Sequence, residues 1–173
     1  MTTLEPAGKT LIIIRHAKSD WSTGAPDFDR PLLERGQRDA FAIGSLLEHH
    51  DIDLVWCSAA KRAQETWDRA CLGGAHARSV DSRRSFYGTW TDSLISEMTA
   101  LDESVSMLAL VNHQPTVGDL VDTLAEPSAL TTQVVQHFPT AGVAILTYQG
   151  SWKELSPGST VLQSFTRARA GRK

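Results

Sequence analysis

The sequence predicts an α/β fold, a three-layer αβα sandwich with a mainly parallel central sheet of about five to six strands. Two observations predict it. Short apolar runs of strand length alternate along the chain with longer segments whose apolar residues recur at helical spacing. In addition, 173 residues with 41% hydrophobic composition are enough to build one ordinary core. We therefore expect strands joined by right-handed helical crossovers, with the last one or two strands antiparallel.

The first elements follow this alternation directly. Residues 10–14 (TLIII) form a β-branched apolar run that stops at Arg15-His16, which is typical of a buried strand. A loop rich in Gly, Pro, Asp and Ser follows over 18–31, and it is longer than most plain connections. Helical spacing then extends from about 32 to 50, so a helix is predicted there.

The same pattern returns in the rest of the chain. Residues 54–57 (LVWC) predict a second strand, and Ser58 stands where the N-cap of a helix carrying Arg62 is expected. The remaining predicted elements are a short strand near 78–80, a helix at 91–102, a strand at 105–111, a helix at 116–125, and two closing strands at 141–148 and 152–155.

Composition and charge exclude several classes of protein. One domain is expected over residues 1–173, with flexible ends at 1–9 and 160–173. The formal net charge of -3 gives no general attraction to nucleic acid or to an anionic membrane, so neither is an expected partner. No leader segment or apolar membrane span is evident, and Cys57 and Cys71 show neither zinc-ligand spacing nor a disulfide framework. A cytoplasmic protein without a metal ion or cofactor is expected.

Basic and imidazole side chains stand just after several predicted strands. In open α/β sheets the ligand site lies beyond the carboxyl ends of the strands, so these residues can converge. Arg15 and His16 end the first strand, Arg62 lies at the start of the helix after the second, and His113 precedes a later helix. Lys18 lies close by and could tune the potential of the site, although it could equally be an exposed loop lysine.

Such a cluster favours a tetrahedral phosphate as its ligand, because arginine offers forked donors that match phosphate oxygens. A neutral imidazole can attack phosphorus when its other ring nitrogen donates to a fixed acceptor. His16 is the best placed for in-line attack, and His113 would donate to the phosphoryl oxygens together with backbone N–H groups of the following helix. A covalent phosphohistidine, then hydrolysed by water, is the predicted intermediate.

Three segments, LIIIRHAKSDW, DFDRPLLERG and CSAAKRAQET, resemble the motifs of the histidine phosphatase superfamily (phosphoglycerate mutase-like). More narrowly, the chain is similar to the short SixA-type phosphohistidine phosphatases, and the similarity extends over residues 10–148. The resemblance implies that His16 is the phosphorylated nucleophile and that the two arginines and His113 complete the phosphate pocket. It also implies a substrate or phosphate contact from Arg30 in the DxDRPL element.

Three departures from the family pattern affect what can be carried over. Asn112 stands where a Gly or Ser usually precedes the second histidine. The segment SVDSRRSFYG has no carboxylate at the position of the usual proton donor, since Asp81 is poorly aligned. The chain also has no large insertion that could form a cap. A missing acid disfavours alkyl phosphoesters and favours phosphoramidates and acyl phosphates, whose leaving groups depart more easily.

The leading hypothesis is therefore a metal-independent phosphatase that acts on phosphohistidine in a protein partner. Two alternatives stay open, namely a phosphatase for a small phosphorylated metabolite such as a sugar or acyl phosphate, and a phosphate-binding module without catalysis. A metal-dependent hydrolase is disfavoured because no carboxylates cluster near the strand ends. The oligomeric state is not indicated by the sequence.

Overall fold

The structure is a computed structural model that describes residues 8–171. Its strands are β1 (Lys9–Arg15), β2 (Ile52–Ser58), β3 (Ala77–Arg83), β4 (Met107–Asn112), β5 (Gly142–Tyr148) and β6 (Val161–Arg167). Its α-helices are α1 (Glu34–Leu47), α2 (Lys61–Leu72), α3 (Thr91–Thr99), α4 (Thr116–Leu124) and α5 (Ala129–Gln136).

All six strands form one sheet in the order β3-β2-β4-β1-β5-β6. The pairs β2–β3, β2–β4 and β1–β4 are parallel, whereas β1–β5 and β5–β6 are antiparallel. The predicted α/β class and mainly parallel sheet are therefore confirmed. Strands β2, β4 and β1 are neighbours that run in the same direction, so their carboxyl ends meet at one edge of the sheet.

Helices cover both faces of this sheet because the strands are apolar on both sides. In β1, Leu11 and Ile13 pack into one core cluster with α3, α4 and α5, and Ile12 and Ile14 pack into a second cluster with α1 and α2. All four of these side chains are buried. The alternation along the strand thus serves two cores at once and holds β1 rigidly in the centre of the molecule.

The C-terminal region differs from the sequence prediction in two places. Residues 152–155 were expected to form a strand, but Trp152–Glu154 is a 3-10 helix with a capping box between Ser151 and Glu154. Trp152 and Leu155, three residues apart, both face the core, which suits a tight helical turn better than a strand. The prediction of a flexible end from residue 160 is also wrong, because β6 pairs with β5 there.

The sequence signal for β6 is weak for a physical reason. It is an edge strand with one neighbour, and Leu162 is its only buried residue. The helix α5 was likewise not predicted. At the other end of the chain, Lys9 is buried and belongs to β1. Residues 1–7 of the expected flexible segment lie outside the described residues.

Candidate active site

The two histidines singled out from the sequence lie side by side at the carboxyl edge of the sheet. Arg15 at the end of β1 is in register with Asn112 at the end of β4, so the residues that follow them are also neighbours. The His16 backbone N–H donates to the Asn112 carbonyl at 3.0 Å. The His16 and His113 rings are 5.0 Å apart between centroids, and both are nearly completely buried.

His16 has a defined tautomer. Its Nδ1 lies 2.7 Å from the Ala17 carbonyl oxygen, which can only accept, so Nδ1 carries the proton and donates. Nε2 is then an unprotonated base, and Arg62 Nε donates to it at 3.3 Å. Burial, with smaller contributions from the charges of neighbouring groups, lowers the pKa of His16 from 6.5 to about 3. The ring is therefore neutral at physiological pH, and its one ring lone pair, on Nε2, accepts the hydrogen bond from Arg62.

His113 is held by Ser58 at the end of β2. The distance between His113 Nε2 and Ser58 Oγ is 2.8 Å, and the Ala60 backbone N–H donates to the same Oγ at 3.3 Å. Burial, and after it the charge of Arg62, lowers the pKa of His113 from 6.5 to about 4. The sequence prediction that Ser58 caps α2 is wrong, since the helix begins at Lys61 and Ser58 positions an imidazole instead.

Arg62 in the first turn of α2 is buried and connects the segment that carries His16 to the long loop. Besides its contact with His16, its Nη1 donates to the Asp27 carbonyl at 2.6 Å and its Nη2 to Asp27 Oδ2 at 3.1 Å. The Ala17 backbone N–H donates to Thr66 Oγ1, and that hydroxyl donates to the Arg62 carbonyl at 2.7 Å. The start of α2 is thus bonded to both ends of the loop.

Asp27 is the acceptor shared by three side chains. Arg30 Nη1 donates to its Oδ1 at 2.6 Å, while Arg62 and the Tyr87 hydroxyl, the latter at 2.6 Å, donate to Oδ2. The Tyr87 hydrogen bond, followed by those of the two arginines, holds the pKa of Asp27 well below its usual range. The carboxylate is therefore ionised and cannot serve as a proton donor.

Arg30 is buried and joins the cluster through Asp27, and the substrate or phosphate contact that the resemblance implies for it stays a prediction. Its Nε also donates to Ser19 Oγ at 2.9 Å, and its guanidinium stacks on Trp21 at 3.6 Å from the ring centroid. Tyr87 packs edge-on against His113 with centroids 5.7 Å apart. The long loop therefore folds over the two histidines and forms one wall of the pocket.

The remaining two predicted residues behave differently. Arg15 is half-buried, donates from Nη1 to the Phe138 carbonyl at 2.8 Å, and its charge helps to lower the pKa values of His16 and His113. Lys18 is exposed, and its ammonium group makes no hydrogen bond or ion pair within residues 8–171. The structure therefore brings Arg15 to the histidines and does not bring Lys18 into the bonded cluster.

Asn112, which departs from the family pattern, has a clear structural role. It is fully buried, its Nδ2 donates to the Phe86 carbonyl at 3.0 Å, and its Oδ1 accepts the His113 backbone N–H at 2.8 Å. The Asn112 side chain therefore fixes the backbone of His113 and links it to the segment that carries Phe86. The Asp81 carboxylate is paired with Arg83 at 2.7 Å.

Sequence reasoning missed three residues of this cluster, namely Asp27, Ser58 and Tyr87. Asp27 and Tyr87 lie in loop-like sequence where no strand end marks them. The only available signal was the DFDR segment, in which a carboxylate precedes Arg30 by three residues. Ser58 directly follows the predicted strand, so the strand-end criterion that selected His16 would have selected it too.

Metal-ligand clusters and membrane-spanning helices would indicate other functional classes. Across residues 8–171 there is no group of three or more His, Cys, Asp or Glu side chains that could hold a metal ion. Within the same residues, no helix is both long enough and apolar enough to cross a membrane.

Comparison with known proteins agrees with the site. The family model of the histidine phosphatase superfamily (branch 1) matches residues 11–103, and the chain belongs to this family. It is therefore a hydrolase that acts on phosphoryl groups. An uncharacterized protein of Mycobacterium tuberculosis (strain CDC 1551 / Oshkosh), MT1313, is 35% identical over 158 residues, which cover 88% of this chain and 98% of that protein.

Solved structures point to the SixA-type branch. The candidate phosphohistidine phosphatase SixA of Nakamurella multipartitia superposes with a TM-score of 0.82 at 28% identity, covering 95% of this chain and 99% of its own. The corresponding SixA candidate of Agrobacterium tumefaciens gives a TM-score of 0.75 at 25% identity, covering 91% and 97%. The predicted family and its SixA-type architecture are thus confirmed.

The first prediction concerns the two imidazoles. Both pKa values are depressed in the folded state, so below about pH 6.5 the unfolded chain binds more protons and the free energy of unfolding decreases as the pH falls toward about 3 to 4. We expect long-range ¹H–¹⁵N spectra to show both rings neutral between pH 8 and about 5. His16→Asn and His113→Asn assign the signals. Titration of either folded ring near 6.5 would contradict this account.

The second prediction concerns Asp27. Asp27→Ala removes the acceptor that holds Arg62, Arg30 and Tyr87, so we expect kcat/KM for a small phosphoramidate to fall roughly 10- to 100-fold. Asp27→Asn keeps one acceptor oxygen and should lose less. Asp29→Ala, in the same 3-10 turn, is the matched control and should keep its activity. An Asp27→Ala enzyme faster than wild type would mean that the carboxylate competes with the substrate.

Proposed function

We propose that this chain is a protein phosphohistidine phosphatase that works through a covalent phosphohistidine on His16. The observation that carries the proposal is the state of the His16 ring. It is buried and neutral, its Nδ1–H is fixed by the Ala17 carbonyl, and its unprotonated Nε2 faces Arg62. A side chain that only bound phosphate would have no need of an unprotonated ring nitrogen in that position.

The groups around His16 suit a phosphoryl ligand. Arg15 and Arg62 carry fixed positive charge, and Arg30 adds a third guanidinium through Asp27. Two buried nitrogen atoms, Arg15 Nε and His113 Nδ1, have no hydrogen-bond partner within residues 8–171. Arg15 Nε is a donor, and His113 Nδ1 is a donor in the tautomer in which the Ser58 hydroxyl donates to Nε2. An unpaired buried donor costs about 1–3 kcal/mol, and phosphoryl oxygens would accept from both nitrogens.

The reaction then has two displacements. In the first, the Nε2 lone pair of His16 forms a bond to phosphorus while the P–N bond of the substrate breaks and its electron pair goes to the departing imidazole. In the second, water forms a bond to phosphorus, the electron pair of the P–N bond returns to His16 Nε2, and the water proton passes to a phosphoryl oxygen, so that inorganic phosphate is released. The arginines stabilise the charge on the equatorial oxygens in both steps, on the order of 2–4 kcal/mol for a single donor.

The leaving group determines the preferred substrate. Asp27 is ionised, Asp81 is paired with Arg83, and Glu65 Oε2 accepts the Leu32 backbone N–H. None of these carboxyl groups is placed to protonate an alkoxide. When the other ring nitrogen of the phosphohistidine carries a proton, the leaving group is neutral imidazole. Its conjugate acid has a pKa near 6.5, so it departs without a strong acid from the enzyme. The site therefore favours phosphohistidine over alkyl phosphates.

The rim of the pocket suits a large substrate. The Asp27 side chain is 48% exposed, and Trp21, which stacks on Arg30, is 73% exposed. The wall of the pocket that the long loop forms is thus open to solvent. A histidine on the surface of another protein could reach it, whereas a small sugar phosphate would find few enclosing contacts.

The third prediction compares substrates. We expect kcat/KM for a protein that carries phosphohistidine to exceed that for glucose 6-phosphate and glycerol 3-phosphate by about 100-fold or more, because these alkyl esters need a proton donor. Rates should be the same in excess EDTA. His16→Ala should be inactive on every substrate.

Two results would overturn this assignment. A clear preference for glucose 6-phosphate would make the chain a small-molecule phosphatase with an acid that the geometry does not reveal. No turnover of any substrate, with inorganic phosphate still bound by the wild type, would make it a binding module.

A further inference from the structure

One cavity in the described part of the chain shares no lining residue with the histidine cluster. It is a groove of about 840 Å³ between the outer face of α1 and the C-terminal segment 167–171. We call it the α1 groove. It continues along α1 past Phe41 to Ala42 and Leu46.

The α1 groove is strongly basic although the chain as a whole has a net charge of -3. Its lining includes two carboxylates, Glu34 and Asp39, which pair with Arg38 and Arg35 at 2.8 and 3.7 Å. Three more arginines line it without an ion pair within residues 8–171, and these are Arg69, Arg167 and Arg169. The lining of the α1 groove therefore carries a net positive charge.

Two further features point to a ligand. Arg167 Nε is a buried donor with no hydrogen-bond partner among residues 8–171. Phe41 and Leu46, at 48% and 37% exposure, are the large apolar side chains along the floor. A groove lined by both arginines and exposed apolar side chains matches a ligand with both acidic and apolar groups.

Both walls of the α1 groove are bonded to the segment that carries His16. On one side, the first turn of α1 lies so close that a Cβ added at Gly36 would collide with the Lys18 carbonyl oxygen. On the other side, the Ala168 backbone N–H donates to the Ala141 carbonyl at 3.0 Å. The Ala141 N–H in turn donates to the carbonyl oxygens of Arg15 and His16, each at 3.2 Å. The segments that line the groove are therefore connected by short backbone contacts to the segment that carries His16.

We infer that the α1 groove binds an acidic segment of the protein whose phosphohistidine is hydrolysed. From Glu34 to Leu46 the helix is about 18 Å long, which matches five or six extended residues (about 3.3 Å each) better than one small anion. The inference extends the proposed function, because it names the chemistry of the partner. Docking in the groove would raise the local concentration of the partner's phosphohistidine at His16.

The test uses a fluorescein-labelled peptide of alternating Glu and Leu, about ten residues long, in fluorescence anisotropy. Wild type should bind it, and the paired variant Arg69→Glu with Arg169→Glu should raise Kd at least about 10-fold, since both side chains are exposed. The matched control, Arg78→Glu with Lys153→Glu, changes the net charge equally at exposed positions that do not line the groove, and it should leave Kd nearly unchanged.

A kinetic measurement distinguishes failure of the groove assignment from failure of the proposed function. With the same acidic peptide carrying phosphohistidine, the groove variant should raise KM at least about 10-fold and leave kcat unchanged, and turnover of a small phosphoramidate should not change. Binding without turnover would overturn the proposed function and leave the groove assignment standing.

Several outcomes would overturn the groove assignment. They are no binding of the acidic peptide by wild type, an equal loss in the control variant, or equal binding of the peptide with Lys in place of Glu. Tighter binding of a single-stranded oligothymidylate that the groove variant loses would make it a nucleic-acid site. A dimer in sedimentation that the groove variant dissociates would make it an interface between two copies.

Discussion

The hydrogen bond from His16 Nδ1 to the Ala17 carbonyl is the interaction on which the chemistry depends. It fixes the proton on one ring nitrogen and leaves Nε2 as a base, and burial keeps the ring from gaining a second proton. Positive charge on Arg62 and Arg15 acts in the same direction. An imidazole in water would be protonated in part at neutral pH, whereas this one is neutral throughout the physiological range, as the proposed nucleophile has to be.

The sheet makes this arrangement possible. Because β4 lies between β1 and β2, the residues after three neighbouring parallel strands come together, and Ser58, His113 and His16 lie at that one edge. Two buried clusters clamp β1 from both faces, so the carboxyl end of the strand is held in place. The long loop then closes over this edge through Asp27, whose carboxylate and carbonyl together accept four hydrogen bonds from side chains.

The part of the fold and the site that could be predicted from the sequence is the part encoded in local pattern. The apolar run before Arg15-His16 predicts both a buried strand and the place where its last side chains emerge. Asp27 could not be found in this way, because its role comes from three donors that are distant in sequence or lie in irregular loop. The sequence pattern does not predict β6, because an edge strand with little buried surface has almost no hydrophobic pattern.

The most direct measurement is to mix the enzyme with phosphoramidate, quench it in alkali to preserve phosphoramidate bonds, and map the modified residue by mass spectrometry. One phosphoryl group on His16 is expected, absent in His16→Ala and present in His113→Ala, though formed more slowly there. Phosphate on any other residue, or turnover by His16→Ala, would contradict the mechanism.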